Sequence, residues 1–186
     1  MIGYALTGSF CTIPESILVI KRMVDMGYKI LPIMSDNAYS TNTRFGKAVE
    51  IRSHVSEITG QEIIHTIVDA EPLGPKTNLN ALIICPCTGN TLAKIANGIT
   101  DTSVCMAAKA HLRNNRPLIL ALASNDALSA NLKNIATLLS RKNVYFVPMT
   151  QDDPISKPHS LVANFNLIEK TLEYALEGKQ HPKIFI

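Results

Sequence analysis

Several features are missing from this sequence, and each absence removes a class of function. No long basic run occurs and the net charge is only +3, from 18 basic and 15 acidic residues. The charge therefore points away from nucleic acid as a partner. No apolar run approaches the length of a bilayer span. The chain opens on a strand-like run rather than on a basic region followed by an apolar core, so no signal peptide is read. None of the cysteines, Cys11, Cys85, Cys87 and Cys105, forms a C-x-x-C pair, and no histidines match the spacing of Cys85 and Cys87. No metal site is expected, and reduced thiols in a cytoplasmic protein are. The first loop, Gly3-Tyr4-Ala5-Leu6-Thr7-Gly8-Ser9, lacks the G-x-G-x-x-G fingerprint of nicotinamide-dinucleotide folds.

What is present is a globular chain of 186 residues with 46% hydrophobic content, enough to bury a core as one domain over 1–186. Strand and helix signals alternate from end to end, which predicts a doubly wound, flavodoxin-like or Rossmann-like α/β sheet with helices on both faces. Strands are expected at 2–6, 28–34, 81–85, 117–123 and 144–147. Helices are expected from Thr12, as cap, to Gly27, over 47–58, from 90 to 99, from Asp101 to Arg113, over 127–140 and over 161–176. Residues 35–46 read as a long polar loop, 62–68 as a short strand or irregular segment, and 69–80 and 151–159 as loops broken by proline and glycine.

Three strands end in small or hydroxyl-bearing residues: Gly8-Ser9, Ser35, and Thr88-Gly89-Asn90-Thr91. In an open parallel sheet such ends share one edge, where ligands bind at the switch point. The last of them feeds a helix whose first N–H groups lack partners, which suits an anion. An ordinary strand–loop–helix connection has the same composition, so both readings stand at this point.

The run from Pro86 through Asn90-Thr91 to Ala93-Lys94-Ile95-Ala96-Asn97-Gly98-Ile99-Thr100-Asp101 resembles the Pro-Ala-Ser-Ala-Asn-Thr motif and helix of the flavin-dependent cysteine decarboxylases, with Cys87-Thr88-Gly89 in place of Ala-Ser-Ala. Thr7-Gly8-Ser9 agrees with the same family. Asn42-Thr43-Arg44-Phe45-Gly46, Ala70-Glu71-Pro72-Leu73-Gly74-Pro75-Lys76 and Ser124-Asn125-Asp126-Ala127-Leu128 are similar to the B-subunit family of the dipicolinate synthases of spore-forming bacteria. The resemblance implies FMN as cofactor, with the altered motif loop predicting weak retention. Gly8, Ser9, Ser35, Thr88, Gly89, Asn90, Thr91, Ser124 and Asn125 are the implied cofactor contacts, and Asn90 the implied catalytic residue. It implies an A subunit carrying NAD(P), oxidation of dihydrodipicolinate to dipicolinate in the cytoplasm of the mother cell during sporulation, and a homo-oligomer, trimer or higher. Arg44 and Lys76 are expected to meet a substrate carboxylate or the A subunit, against the simpler reading of solvated charges on loops.

The departures from the decarboxylases matter as much. Their catalytic histidine falls here at Tyr39 or Ser40, and their characteristic tryptophan is absent. Decarboxylation of cysteine-ended peptides is therefore not expected. The histidines at 54, 65, 111, 159 and 181 are scattered and read as solvated, with His65 the one candidate general base. A non-catalytic scaffold for the A subunit and an FMN-dependent decarboxylase of other specificity are the alternatives.

Overall fold

The computed structural model describes residues 1–74, 77 and 79–186. Lys76 lies outside these. The apolar run Ile2–Leu6 forms β1, buried at every residue. Helix α1, Ile13–Asp25, follows and buries Ile13, Ile17, Val19, Ile20 and Met23 against the sheet. It ends as helices with a following glycine do: Gly27 adopts a φ of +90°, and the N–H groups of Gly27 and Tyr28 return to the carbonyls of Val24 and Met23. The second of these bonds occupies the Tyr28 N–H, and β2 begins later than the sequence predicts, at Ile30–Met34.

Within the expected polar loop, Ser35 accepts a hydrogen bond from the Ala38 N–H (3.4 Å) and starts a short helix, α2, Asp36–Ser40. Helix α3, Ala48–Thr59, ends at Gly60, again in the left-handed region. One-turn α4, Ile67–Ala70, leads to β3, Ala81–Cys87. Helix α5, Gly89–Ala96, and α6, Ser103–Leu112, follow; Thr102 caps α6, while Asp101, the expected cap, pairs with Lys94 at 2.9 Å instead. Then come β4, Leu118–Ser124, α7, Leu132–Leu139, and β5, Val144–Phe146. Helix α7 starts later than expected because Ser129 and Asn131 donate their N–H groups to the Asp126 carbonyl, making 126–131 a turn.

The stretch 161–176 is not one helix. Leu161–Ala163 is strand β7, antiparallel to β4 and to β6, Met149–Thr150. Asn164 then accepts from the Asn166 N–H (3.0 Å) and turns the chain into α8, Ile168–Leu176. Three residues are too few to display period-two alternation, so the strand merges with the apolar helix pattern beside it.

The sheet runs β2-β1-β3-β4, all parallel, with β5 on the lower part of the outer edge of β4 and the β6–β7 pair beyond its upper end. This is the mixed, parallel-dominated sheet of a doubly wound fold. Its order reverses direction between β1 and β3, so the crevice for ligands lies above the carboxyl ends of those two strands. A register shift between Ile84 and Cys87 bends β3 directly beneath it.

Candidate functional site

Two threonines build the crevice from below. The hydroxyl of Thr7, at the end of β1, donates to the Pro86 carbonyl (2.7 Å) and accepts from the Thr88 N–H (3.0 Å). One buried side chain thus fixes the two switch-point loops to each other. Thr88 caps α5: its hydroxyl accepts from the Thr91 N–H (3.2 Å) and donates to the Thr91 hydroxyl (3.0 Å).

Above them lie two clefts that meet at Gly8, Thr88 and Asn90. The first, about 460 Å³, is lined by Gly8, Ser9, Thr88, Gly89, Asn90, Ser124 and Asn125 together with Asp126, Asp152, Lys157 and Ser160. The second, about 470 Å³, is lined by Gly8, Ser35, Thr88, Asn90 and Thr91 together with Lys94 and Asp101. Both volumes suit a small-molecule or cofactor site. The residues expected as cofactor contacts are therefore divided: Ser9 faces one cleft, Ser35 and Thr91 the other. Arg44 lines neither; its guanidinium lies 4.8 Å from the ring centre of the adjacent Phe45. His65 is also elsewhere, stacked on Tyr39 at 3.8 Å, with the Arg52 guanidinium 4.4 Å from the Tyr39 ring centre.

The hydroxyls of Ser35 and Thr88 are engaged in capping, the ordinary structural role of such residues, and the Thr91 hydroxyl accepts from that of Thr88. Asn90 and Asn125 differ. Both are exposed, and among the described residues neither carboxamide takes a hydrogen bond. The N–H groups of Gly89 and Asn90, in the first turn of α5, have no intrahelical acceptor. Amide donors without an acceptor among the described residues thus line one crevice.

On the far wall of the first cleft, sequence reasoning named Ser124 and Asn125 but missed Asp126 and the side chains that hold it. Asp126 accepts from the Ser124 hydroxyl and from Asn131 Nδ2, the latter at 3.0 and 2.9 Å to its two oxygens. The Ser124 hydrogen bond, with Asn131 adding to it, holds the Asp126 carboxyl below its ordinary range. Asn134 supports Asn131 at 2.9 Å. The network rests against Gly89, where a Cβ would meet Ser124 Oγ at 2.5 Å, Asn131 Nδ2 at 2.6 Å and Asp126 Oδ1 at 2.8 Å. Glycine there is a requirement of close approach. A Cβ at Gly8, by contrast, would meet nothing nearer than 3.5 Å. The signal for this wall was the run Ser124-Asn125-Asp126, but its geometry depends on a turn that helix periodicity concealed. Asp152, Lys157 and Ser160 arrive because the β6–β7 pair carries its connection over the end of β4.

One expectation fails outright away from the crevice. His111 is fully buried rather than solvated; its Nε2 faces the Pro117 carbonyl at 2.9 Å, and Nδ1 has no partner among the described residues. Burial pushes its pKa down to about 4. Among the described residues no three His, Cys, Asp or Glu side chains cluster as metal ligands, and no helix is long and apolar enough to cross a membrane.

The chain matches the family model described as Flavoprotein over residues 1–172. It is 46% identical over 185 residues to the B subunit of dipicolinate synthase from Bacillus subtilis, covering 100% of this chain and 92% of that one. The crystal structure of the corresponding B subunit from Bacillus halodurans superposes with a TM-score of 0.91 at 42% identity, covering 100% of this chain and 95% of that one. A Burkholderia xenovorans protein solved with FMN, DmrB, described as a cubic protein cage for redox transfer, shares the fold at a TM-score of 0.68 and 19% identity, covering 95% and 94%.

Proposed function

This chain belongs to the flavoprotein family, and from that premise we propose that it is the B subunit of a dipicolinate synthase, oxidising a dihydrodipicolinate to the aromatic pyridine dicarboxylate with FMN. The observation that carries the reading is the full-length likeness to two dipicolinate synthase B subunits. The crevice supports the cofactor: it lies at the switch point where this sheet order takes a flavin nucleotide, and its free amide donors suit phosphate, ribityl and ring oxygens.

In this reading Gly8, Ser9, Ser35, Thr88, Gly89 and Thr91 shape the two clefts and present backbone N–H groups and hydroxyls. Asn90, where the clefts meet, and Asn125, on the wall of the first, donate from their carboxamides. Asn90 is the residue proposed to touch both cofactor and substrate. Ser124 and Asn131 keep Asp126 ionised and fixed, so the wall opposite Asn90 does not collapse into the cleft. Held by these residues, FMN would supply an acceptor for the two electrons and two protons that leave the dihydro ring, with aromatisation as the driving force. We further propose that the partner is an A subunit carrying NAD(P), that the chain acts with that partner as a homo-oligomer, trimer or higher, and that it works in the mother-cell cytoplasm. Arg44, outside both clefts on an exposed loop, is assigned to the surface that meets the A subunit.

A scaffold reading is favoured by one observation, the commitment of the Ser35 and Thr88 hydroxyls to capping. The test is dipicolinate formation from dihydrodipicolinate by the two-subunit mixture. Loss of formation on Asn90→Ala, with the assembly intact, supports catalysis by this chain; undiminished formation supports the scaffold.

A further inference from the structure

Among the described residues Lys157 is the only cation lining the first cleft, against two carboxylates, Asp126 and Asp152. Asp126 is committed to Ser124 and Asn131. Asp152 holds Lys157 Nζ at 2.8 Å, with the lysine side chain 54% exposed and the aspartate 31% exposed. An ion pair so open to solvent contributes little, so exchange of one carboxylate partner for another costs little.

The backbone under Lys157 is fixed, so the lysine stem rises from a defined point on the cleft. Its N–H donates to the Asp153 carbonyl (2.8 Å), and its own carbonyl accepts from the Ser160 N–H (3.0 Å). The Ser156 N–H donates to Asp153 Oδ1 (2.9 Å), and Gln151 Nε2 donates to the Pro158 carbonyl (3.0 Å). The Leu128 N–H reaches the His159 carbonyl (2.9 Å), which ties this connection to the Ser124–Asp126 wall. Lys157 is therefore rooted on a built backbone support, in the same cleft as the uncommitted carboxamides of Asn90 and Asn125, with Asp152 as the group that holds its ammonium.

We infer that Lys157 is the carboxylate-recognising group of this cleft, with Asp152 as an internal carboxylate that holds the ammonium until a substrate carboxylate replaces it. This deepens the proposed function and rests on it. A ring carrying two carboxylates would place one on Lys157 and leave the other to the carboxamides. A cleft whose charged lining is otherwise acidic would repel such a dianion without the lysine.

The inference gives two variants opposite signs. Lys157→Met should weaken binding of pyridine-2,6-dicarboxylate to the FMN-loaded chain by roughly tenfold or more, the loss of a charge-assisted hydrogen bond. Asp152→Asn removes the competing carboxylate and should tighten binding several-fold. Lys157→Arg should retain most of the affinity. FMN affinity should stay at the wild-type value in all three. A merely structural ion pair would make both Lys157→Met and Asp152→Asn bind less well, which overturns the inference. Wild-type dicarboxylate affinity in Lys157→Met also overturns it, and loss of FMN from Lys157→Met overturns it in favour of a cofactor contact. If the FMN-loaded wild-type chain binds no dicarboxylate, the proposed substrate falls and this inference falls with it.

Discussion

Replacing Gly89 with alanine tests the architecture of the site at its tightest point. On an isolated helix the exchange would be favourable by up to about 1 kcal/mol. Here the added methyl meets Ser124 Oγ, Asn131 Nδ2 and Asp126 Oδ1 at 2.5, 2.6 and 2.8 Å. Each atom must retreat by roughly 0.5–1 Å to reach ordinary contact. None can do so alone, because the three are bonded to one another through the Asp126 carboxylate, and Asn134 holds Asn131 from behind. Losing one or two hydrogen bonds to a carboxylate costs about 1.5–3 kcal/mol each. After the helix gain, the net loss is about 0.5–2 kcal/mol if one bond is lost and about 2–5 kcal/mol if both are, at roughly 2–4 °C in melting temperature per kcal/mol for a domain of this size. Thermal unfolding reads it directly. Asn131→Ala removes one of the clashing atoms, so Gly89→Ala/Asn131→Ala should lose less than the two single losses added. A Gly89→Ala protein that melts at the wild-type temperature, or a strictly additive pair, would show that the Asp126 wall does not press on α5.

Acid should destabilise the fold through His111. Its folded pKa is about 4 against an ordinary 6.5, so between these values the unfolded chain binds a proton that the folded chain does not. Stability is thus fully present above pH 6.5 and is lost as the pH falls toward 4, by about 3 kcal/mol in total. Urea unfolding across that window should show the slope, and His111→Gln should flatten it; an unchanged slope would clear His111. Asn90→Ala should lower FMN affinity roughly threefold to tenfold while the melting temperature stays within about 2 °C, because the side chain is exposed and has no partner to lose among the described residues. Unfolding of this variant at ordinary temperature would mark Asn90 as structural. Arg44→Ala should leave FMN affinity unchanged and reduce turnover only in the two-subunit mixture; a fall in FMN affinity would return Arg44 to the cleft.

The parallel order of the sheet and the meeting of its strand-end loops at one candidate crevice were legible because β1, β3 and β4 are continuous apolar runs, each buried along its whole length. Thr88, Gly89 and Asn90 announced themselves as small and polar groups between such a strand and a helix. The division into two clefts was not legible, since it depends on how the loops after β2 and β4 lie on either side of Thr88 and Asn90. The residues 161–163 were hidden by brevity, and with them the route that carries Lys157 and Asp152 to the cleft. His111 was misread for another reason: a histidine on a helix face gives no sign in sequence of whether a carbonyl, here that of Pro117, waits to receive it.

The central claim is that the crevice between β1 and β3 binds a flavin nucleotide. Titrating the purified chain with FMN while following flavin fluorescence and visible absorption tests it most directly. One FMN per chain should bind with a dissociation constant of about micromolar or tighter, and Asn90→Ala should weaken it. Absence of binding up to about 1 mM FMN, by a chain that is folded and melts cooperatively, would contradict it.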